Sequence, residues 1–245
     1  MMEIKLGDCL EIMKIIPDNS IDMILCDLPY GITAPEWDKE IDINELWKQY
    51  ERIRKPLCSI ILFSSQPFTT KLISSNFDNF RYCWYWEKNQ GTNFFHAKSM
   101  PIRKIEEINV FYKGKYTPQM SEGHVPTNSA KGSNNGRVYH GKSTVDYKRV
   151  GATDRFPVNI LKYKSVNNYK RIHSAEKPID LCEYLIKTYS DENDTILDNC
   201  MGSGTTGIAC KNTKRNFIGI EKDETYFQMA KKRIENHNLL DNFYD

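Results

Sequence analysis

Two short stretches carry residue types whose spacing suits chemistry. The first is Asp27-Leu28-Pro29-Tyr30-Gly31, which follows the strand-like run IDMILCD (21–27). The second is ILDNCMGSGTTGIAC (196–210), where Gly202-x-Gly204-x-x-Gly207 links an apolar run containing Asp198 to a run of small helix formers. A strand that ends in a Gly-rich turn and enters a helix aims backbone N–H groups at a ligand, and glycine lets that ligand come close. Glu221 closes the next strand-like run, 19 residues after Gly202, where a carboxylate is placed to accept from ribose hydroxyls. A P-loop would need Gly-Lys-Ser/Thr, but Gly204 is followed by Thr205-Thr206. A dinucleotide fold would need more βα units than the 38 residues after Gly207 supply. The remaining reading is a nucleoside cofactor held by a permuted sheet whose other strands lie upstream.

The Asp27 stretch admits two readings. Pro fixes φ and Gly permits positive φ, so these residues make a tight turn by themselves. They also suit a harder task. An exocyclic amine on a nucleobase is a poor nucleophile, because its lone pair is delocalised into the ring. The Asp27 carboxylate and a backbone carbonyl fixed by Pro29 could hold both amine hydrogens and aim the lone pair at an electrophile. The same two acceptors would stabilise the positive charge that develops on nitrogen. Tyr30 would stack on the base, a contact worth about 1–3 kcal/mol. The base must leave its helix to reach such a pocket, which costs a few kcal/mol.

To face one another, the two stretches need a common sheet. Strand-like runs at 4–8, 21–27, 58–65, 81–88, 108–113, 196–200 and 216–221 alternate with helix-like CLEIMKII, NELWKQYERIRK, PFTTKLISS, EKPIDLCEYLIKTYS and ETYFQMAKKRIENHN. This alternation predicts an α/β fold, a Rossmann-like, doubly wound, mostly parallel seven-stranded sheet in permuted order. CSIILFSS is apolar throughout, as a strand buried on both faces should be. Asp8 and Asp27 each end a strand, so the carboxyl edge of the sheet is where chemistry is expected. Pro178 suits a first helical turn. Trp84 and Trp86 alternate onto one face and are expected in the core.

Composition narrows the class. Hydrophobic residues make up 40% and charged residues 27%, ordinary for a globular protein, and no apolar run approaches the roughly 18 residues of a membrane span, so no membrane partner is expected. Seven cysteines without a C-x-x-C pair predict reduced thiols in a cytoplasmic protein. The histidines have no partner spacing, and no metal is expected. Net charge is only +2, yet residues 113–172 hold twelve Lys/Arg against Glu122, Asp146 and Asp154, a local charge of +9. Such asymmetry points to a segment facing a polyanion.

DLPYG together with DNCMGSGTTG resembles the S-adenosylmethionine-dependent DNA amino-methyltransferases, which modify adenine N6 or cytosine N4. The order is similar to their β group, with the catalytic tetrapeptide first, target recognition second and the cofactor loop last. Gly7-Asp8-Cys9-Leu10, His173-Ser174-Ala175-Glu176-Lys177-Pro178 and the run 101–108 fit the same pattern over nearly the whole chain. Leu28 stands where a second proline is usual, which keeps the acceptor and Pro29 in place. The resemblance implies that Asp27, Leu28, Pro29 and Tyr30 hold the target amine and base. It implies S-adenosylmethionine as cofactor, with Asp198, Gly202, Ser203, Gly204, Thr205 and Thr206 along its methionine part and Glu221 at the ribose. Asp8 and Cys9 would lie at the adenine, and Ser174, Lys177 and Pro178 would close the methionine end. Asp at the first tetrapeptide position leans toward adenine N6.

The resemblance divides the chain into a catalytic domain, 1–112 with 173–245, and a basic target-recognition insertion, 113–172. Double-stranded DNA is then the partner, with Arg137, Lys142, Lys148, Arg149 and Arg155 as candidates for phosphate or guanine contacts. It allows a homodimer and a partner restriction endonuclease in a prokaryotic or phage setting. The alternatives are cytosine N4 methylation, methylation of RNA amines or protein amides, and a catalytically idle DNA-binding module.

Overall fold

A computed structural model describes residues 1–31, 40–126, 151–166 and 176–237. The chain forms two compact units, Met1–Thr117 with Asn159–Asp245, and Pro118–Val158. In the first unit the elements run β1 (Met2–Leu6), α1 (Cys9–Met13), β2 (Ile21–Asp27), α2 (Ile43–Ile53), β3 (Arg54–Ser64), α3 (Phe68–Ser75), β4 (Phe80–Thr92), β5 (Arg103–Phe111), β6 (Ile160–Lys162), α4 (Ile179–Tyr189), β7 (Thr195–Asp198), α5 (Thr205–Asn212), β8 (Asn216–Glu221) and α6 (Glu224–Asn236).

The described strands form one sheet in the order β1-β8-β7-β2-β3-β5-β4-β6. Neighbours are parallel except where β5 pairs antiparallel with β3 and β4. The order is permuted as expected: β7 and β8, late in the chain, sit between β1 and β2. The sequence predicts seven strands, and the eighth is β6, inside the 113–172 stretch. It joins the sheet by pairing in parallel with β4 through Tyr85↔Ile160 and Trp86↔Leu161. Residues 159–166 therefore belong to the main unit, and the second compact unit is shorter than the basic stretch.

Period-two alternation sorts the core onto two faces. Met23, Leu25, Ile61, Phe63, Trp84 and Trp86 pack toward Leu181 and Leu185 of α4, Ile208 of α5 and Ile234 of α6. Ile24, Cys26, Ile60 and Leu62 pack the other way, toward Met13 of α1, Trp47 and Tyr50 of α2 and Leu72 of α3. Because the middles of β2 and β3 are covered on both sides, their runs 23–26 and 60–63 are continuously apolar. The buried indoles find acceptors, Trp84 Nε1 donating to the Tyr189 hydroxyl at 2.5 Å and Trp86 Nε1 to the Tyr163 carbonyl at 2.9 Å. Trp37 lies outside the described residues. No described helix is long and apolar enough to cross a membrane.

In the second unit, Ser121 and Arg155 form an antiparallel bridge. The Arg155 guanidinium donates to the carbonyls of Val125 (2.6 Å), Asp154 (2.8 Å) and Ala152 (3.0 Å), which ties this unit to itself.

Candidate active site

The carboxyl ends of β1, β2, β7 and β8 open onto one cavity of about 1450 Å³. That exceeds the usual 300–1,000 Å³ of a single small-ligand pocket and suits two ligands side by side. Asp27, Leu28, Pro29 and Tyr30 line it together with Asp8, Cys9, Lys177, Asp198, Gly202, Ser203, Thr205, Thr206 and Glu221. Two stretches about 170 residues apart in sequence thus share one cavity because β2 and β7 are hydrogen-bonded neighbours.

At the glycine-loop wall, Asp198 Oδ2 accepts from Thr206 Oγ1 at 2.6 Å and Oδ1 from the Cys200 N–H at 3.1 Å. Burial pushes its carboxyl up to about 6, even though these donors pull it down. Glu221 accepts from the Gly202 N–H at 2.8 Å and the Asp223 N–H at 2.8 Å, and burial raises its pKa too. Asp8 does two jobs. It N-caps α1, with Oδ1 accepting from Leu10 N–H at 3.0 Å, and it lines the cavity beside Cys9.

The glycines divide their labour. Gly202 has φ +50° and faces the cavity. Gly204 has φ +77° and is the N-cap of α5; a Cβ there would meet Ile234 Cδ1 at 3.0 Å and Ala230 Cβ at 3.1 Å. It does not line the cavity as expected but lets α5 approach α6. Pro178 is likewise displaced by one position, serving as the N-cap residue of α4 rather than its first turn, and it is not among the lining residues. Ser174, Arg137, Lys142, Lys148 and Arg149 lie outside the described residues.

The opposite wall holds what sequence reasoning missed. Asp27 shares strand parity with Met23 and Leu25, so it faces the side covered by α4. Lys177, just ahead of α4, places its ammonium 2.5 Å from Asp27 Oδ2 and 3.4 Å from Glu106 Oε2. The resemblance implies a place for this lysine at the methionine end, and in the structure its ammonium lies on the tetrapeptide carboxylate. Tyr30 donates to Asp27 Oδ1 at 2.7 Å, and its ring stacks on Phe68 with centroids 5.2 Å apart. Glu106 also binds Lys88, which stands on its face of the sheet because Trp86 pairs with Glu106 in the β4–β5 register. Burial would lower the Lys177 pKa, but the charges of Asp27 and Glu106 more than reverse this and raise it. Burial would raise the Glu106 pKa, yet Lys177 and Lys88 hold it below the usual carboxylate range. The charges balance as an alternating Asp27–Lys177–Glu106–Lys88 array, which is how buried ions are tolerated. A run of alternating charge on separate elements leaves no sequence signal.

Chemically, one wall offers carboxylates at three strand ends and a positive-φ glycine loop. The other offers a carboxylate fixed by two donors beside an aromatic ring. Among the described residues no group of three or more His, Cys, Asp and Glu could hold a metal ion.

The chain is 26% identical to the type II methyltransferase M.HpaI of Haemophilus parainfluenzae over 94% of its own length and 73% of the relative's. It is 29% identical to the type II methyltransferase M1.MboII of Moraxella bovis, covering 91% of this chain and 92% of that one. Among solved structures, the M1.HpyAVI–SAM complex aligns with TM-score 0.64 and 28% identity, over 95% of this chain and 100% of that one. The cytosine-N4-specific PvuII DNA methyltransferase aligns with TM-score 0.69 over 98% of this chain and 89% of that one; at 16% identity it shows the fold alone. Residues 21–232 match the N6/N4 DNA methylase family, a span that takes in Asp27 and the Gly202–Glu221 stretch, and the chain is therefore a DNA methyltransferase of that family.

Proposed function

We propose that the chain transfers a methyl group from S-adenosylmethionine to the N6 amine of an adenine flipped out of double-stranded DNA. The observation that carries this reading is the presence of Asp27 and the Gly202–Glu221 wall in a single cavity. The cofactor is S-adenosylmethionine, and the residues present fit it. Glu221 takes one N–H on each oxygen and keeps acceptor capacity for ribose hydroxyls. Asp198 and Asp8 add negative charge suited to a cationic ligand, and Gly202 admits it without a side chain. Bound there, S-adenosylmethionine supplies an electrophilic methyl group.

The protein's own residues do the rest. Asp27 accepts one amine hydrogen, and the backbone at Leu28-Pro29 accepts the other. Lys177 and Tyr30 hold both Asp27 oxygens in place, which keeps that carboxylate an oriented acceptor as positive charge develops on nitrogen. Base stacking falls to the Tyr30 face opposite Phe68. Asp27 at the head of the tetrapeptide favours adenine over cytosine. The basic segment 113–172 serves target recognition, with Arg155 holding backbone carbonyls at 125, 152 and 154 rather than reading bases. The likeness to type II methyltransferases suits a partner restriction endonuclease.

Methylome sequencing of DNA from cells expressing the protein tests this reading. N6-methyladenine at one recurrent motif is expected. N4-methylcytosine at that motif would move the choice of base, and the absence of any modified motif would remove the DNA reading.

A further inference from the structure

The hairpin joining β4 to β5 forms one wall of the cavity and carries an apolar pair with no part in the scheme above. Phe94 is 63% exposed and Phe95 fully exposed, at 102%. Both line the same cavity as Asp27, and neither belongs to the two core clusters. They sit on a single 3-10 turn, Phe94–His96, closed by His96 N–H to the Asn93 carbonyl (3.1 Å) and Ala97 N–H to the Phe94 carbonyl (3.1 Å). Met100 N–H returns to the His96 carbonyl at 2.9 Å, and Thr92 pairs with Arg103 at the hairpin's base. The turn depends on Asn93 at φ 73°, a left-handed conformation that asparagine tolerates better than most residues.

A rigid turn that holds two phenylalanines in water gains nothing from burial, so the fold alone does not account for it. Its surroundings are cationic. Arg103 and Lys164 line the same cavity as the rings, Lys98 follows Phe95 by three residues in the same hairpin, and Glu87 on β4 is already engaged by Lys104 at 2.8 Å and Lys162 at 3.5 Å. An apolar tip in a cavity wall that also carries Arg103 and Lys164 matches one occupant, a duplex that has lost a base from its stack. Removing a base leaves a gap of about 3.4 Å along the strand, the thickness of one aromatic ring. Apolar side chains inserted at such steps stabilise unstacked DNA.

We infer that Phe95, backed by Phe94, enters the duplex at the step vacated by the target base and holds it open, while Lys98 and Arg103 grip the flanking phosphates. This rests on the DNA methylation reading and deepens it by assigning the residues that keep the base out.

The test uses the full chain and a duplex carrying the motif found by methylome sequencing, with the target base either paired or opposite an abasic site. Phe95→Ala and the double variant Phe94→Ala/Phe95→Ala are expected to lose about 10- to 100-fold in kcat/KM on the paired duplex, the equivalent of a few kcal/mol of unstacking. Most of that loss should vanish opposite the abasic site, where the base is already unpaired. S-adenosylmethionine affinity should stay at the wild-type value, and Phe95→Trp should keep most of the activity. Unchanged activity on the paired duplex, or equal losses on both duplexes, would overturn the wedge. So would a shift from dimer to monomer in Phe95→Ala on sedimentation, which would assign the patch to a second copy. If the wild-type protein binds cofactor but methylates no DNA, the function reading fails and the wedge goes with it. If the wild type is active and the variants match it, only the wedge fails.

Discussion

Lys177 and Asp27, 150 residues apart in sequence, form an ion pair of 2.5 Å at the floor of the cavity, and Glu106 stands 3.4 Å behind the ammonium. The pair makes the tetrapeptide carboxylate part of a buried charge array rather than a lone acceptor. Its removal should therefore do more than weaken binding.

Lys177→Met removes the cation that lies between Asp27 and Glu106 and so takes one donor from the tetrapeptide carboxylate, while Lys88 still faces Glu106. Single-turnover methylation should slow by about 100-fold at pH 7, the scale of losing one oriented electrostatic contact. A rate within a few-fold of the wild type in a folded variant would show that Lys177 serves only the fold.

Asp27→Asn keeps the shape but turns one acceptor oxygen into a donor that opposes both Lys177 and the target amine. Turnover should drop by about 1,000-fold or more, with cofactor affinity within a few-fold of wild type by calorimetry.

Asp198 carries a pH signature. Its carboxyl is held at about 6 by burial, above the ordinary 3.8, so the folded protein binds more protons than the unfolded chain between those values. Stability contributed by this group is therefore greatest below pH 4 and declines up to pH 6, by about 3 kcal/mol in all. A cationic cofactor needs the ionised form, so its affinity should rise from pH 5 to pH 7 with a midpoint near 6. Asp198→Asn should flatten that titration, weaken binding at pH 7.5 and raise the melting temperature there by a few degrees.

Gly204→Ala tests the division among the glycines. It puts a Cβ at φ +77° and within 3.0–3.1 Å of Ile234 and Ala230. A loss of about 1–3 kcal/mol is expected in urea unfolding, from strain and overpacking together. Saturating cofactor should recover little of it, because Gly204 faces α6 rather than the cavity.

Much of this site could be read from the sequence because its parts are local. Asp27 with Pro29, the Gly202 loop and Glu221 each declare themselves within a strand and the turn that follows. Asp8, expected at the cofactor, lines the cavity, and the structure adds that it caps α1. The Lys88–Glu106–Lys177 array could not be read. It depends on the antiparallel register of β4 and β5 and on which face of the sheet α4 covers, and neither leaves a mark at any one of the three residues. Strand β6 was hidden for another reason. Three residues inside a basic, turn-rich stretch carry too little periodicity to stand out, and only the edge of β4 gives them a partner.

The permuted strand order also sets a schedule for synthesis. β2 is complete once Asp27 has been made, but its neighbour β7 begins at Thr195, and β1 must wait for β8 at Asn216. At about 5–20 residues per second, those two edges stay without partners for roughly 10 to 40 seconds on the ribosome. The apolar strand IDMILCD is one of them, an open template for pairing with other chains. A stop that removes β7 and β8 would leave that edge open for good, so truncated products should be found in aggregates rather than as smaller folded proteins.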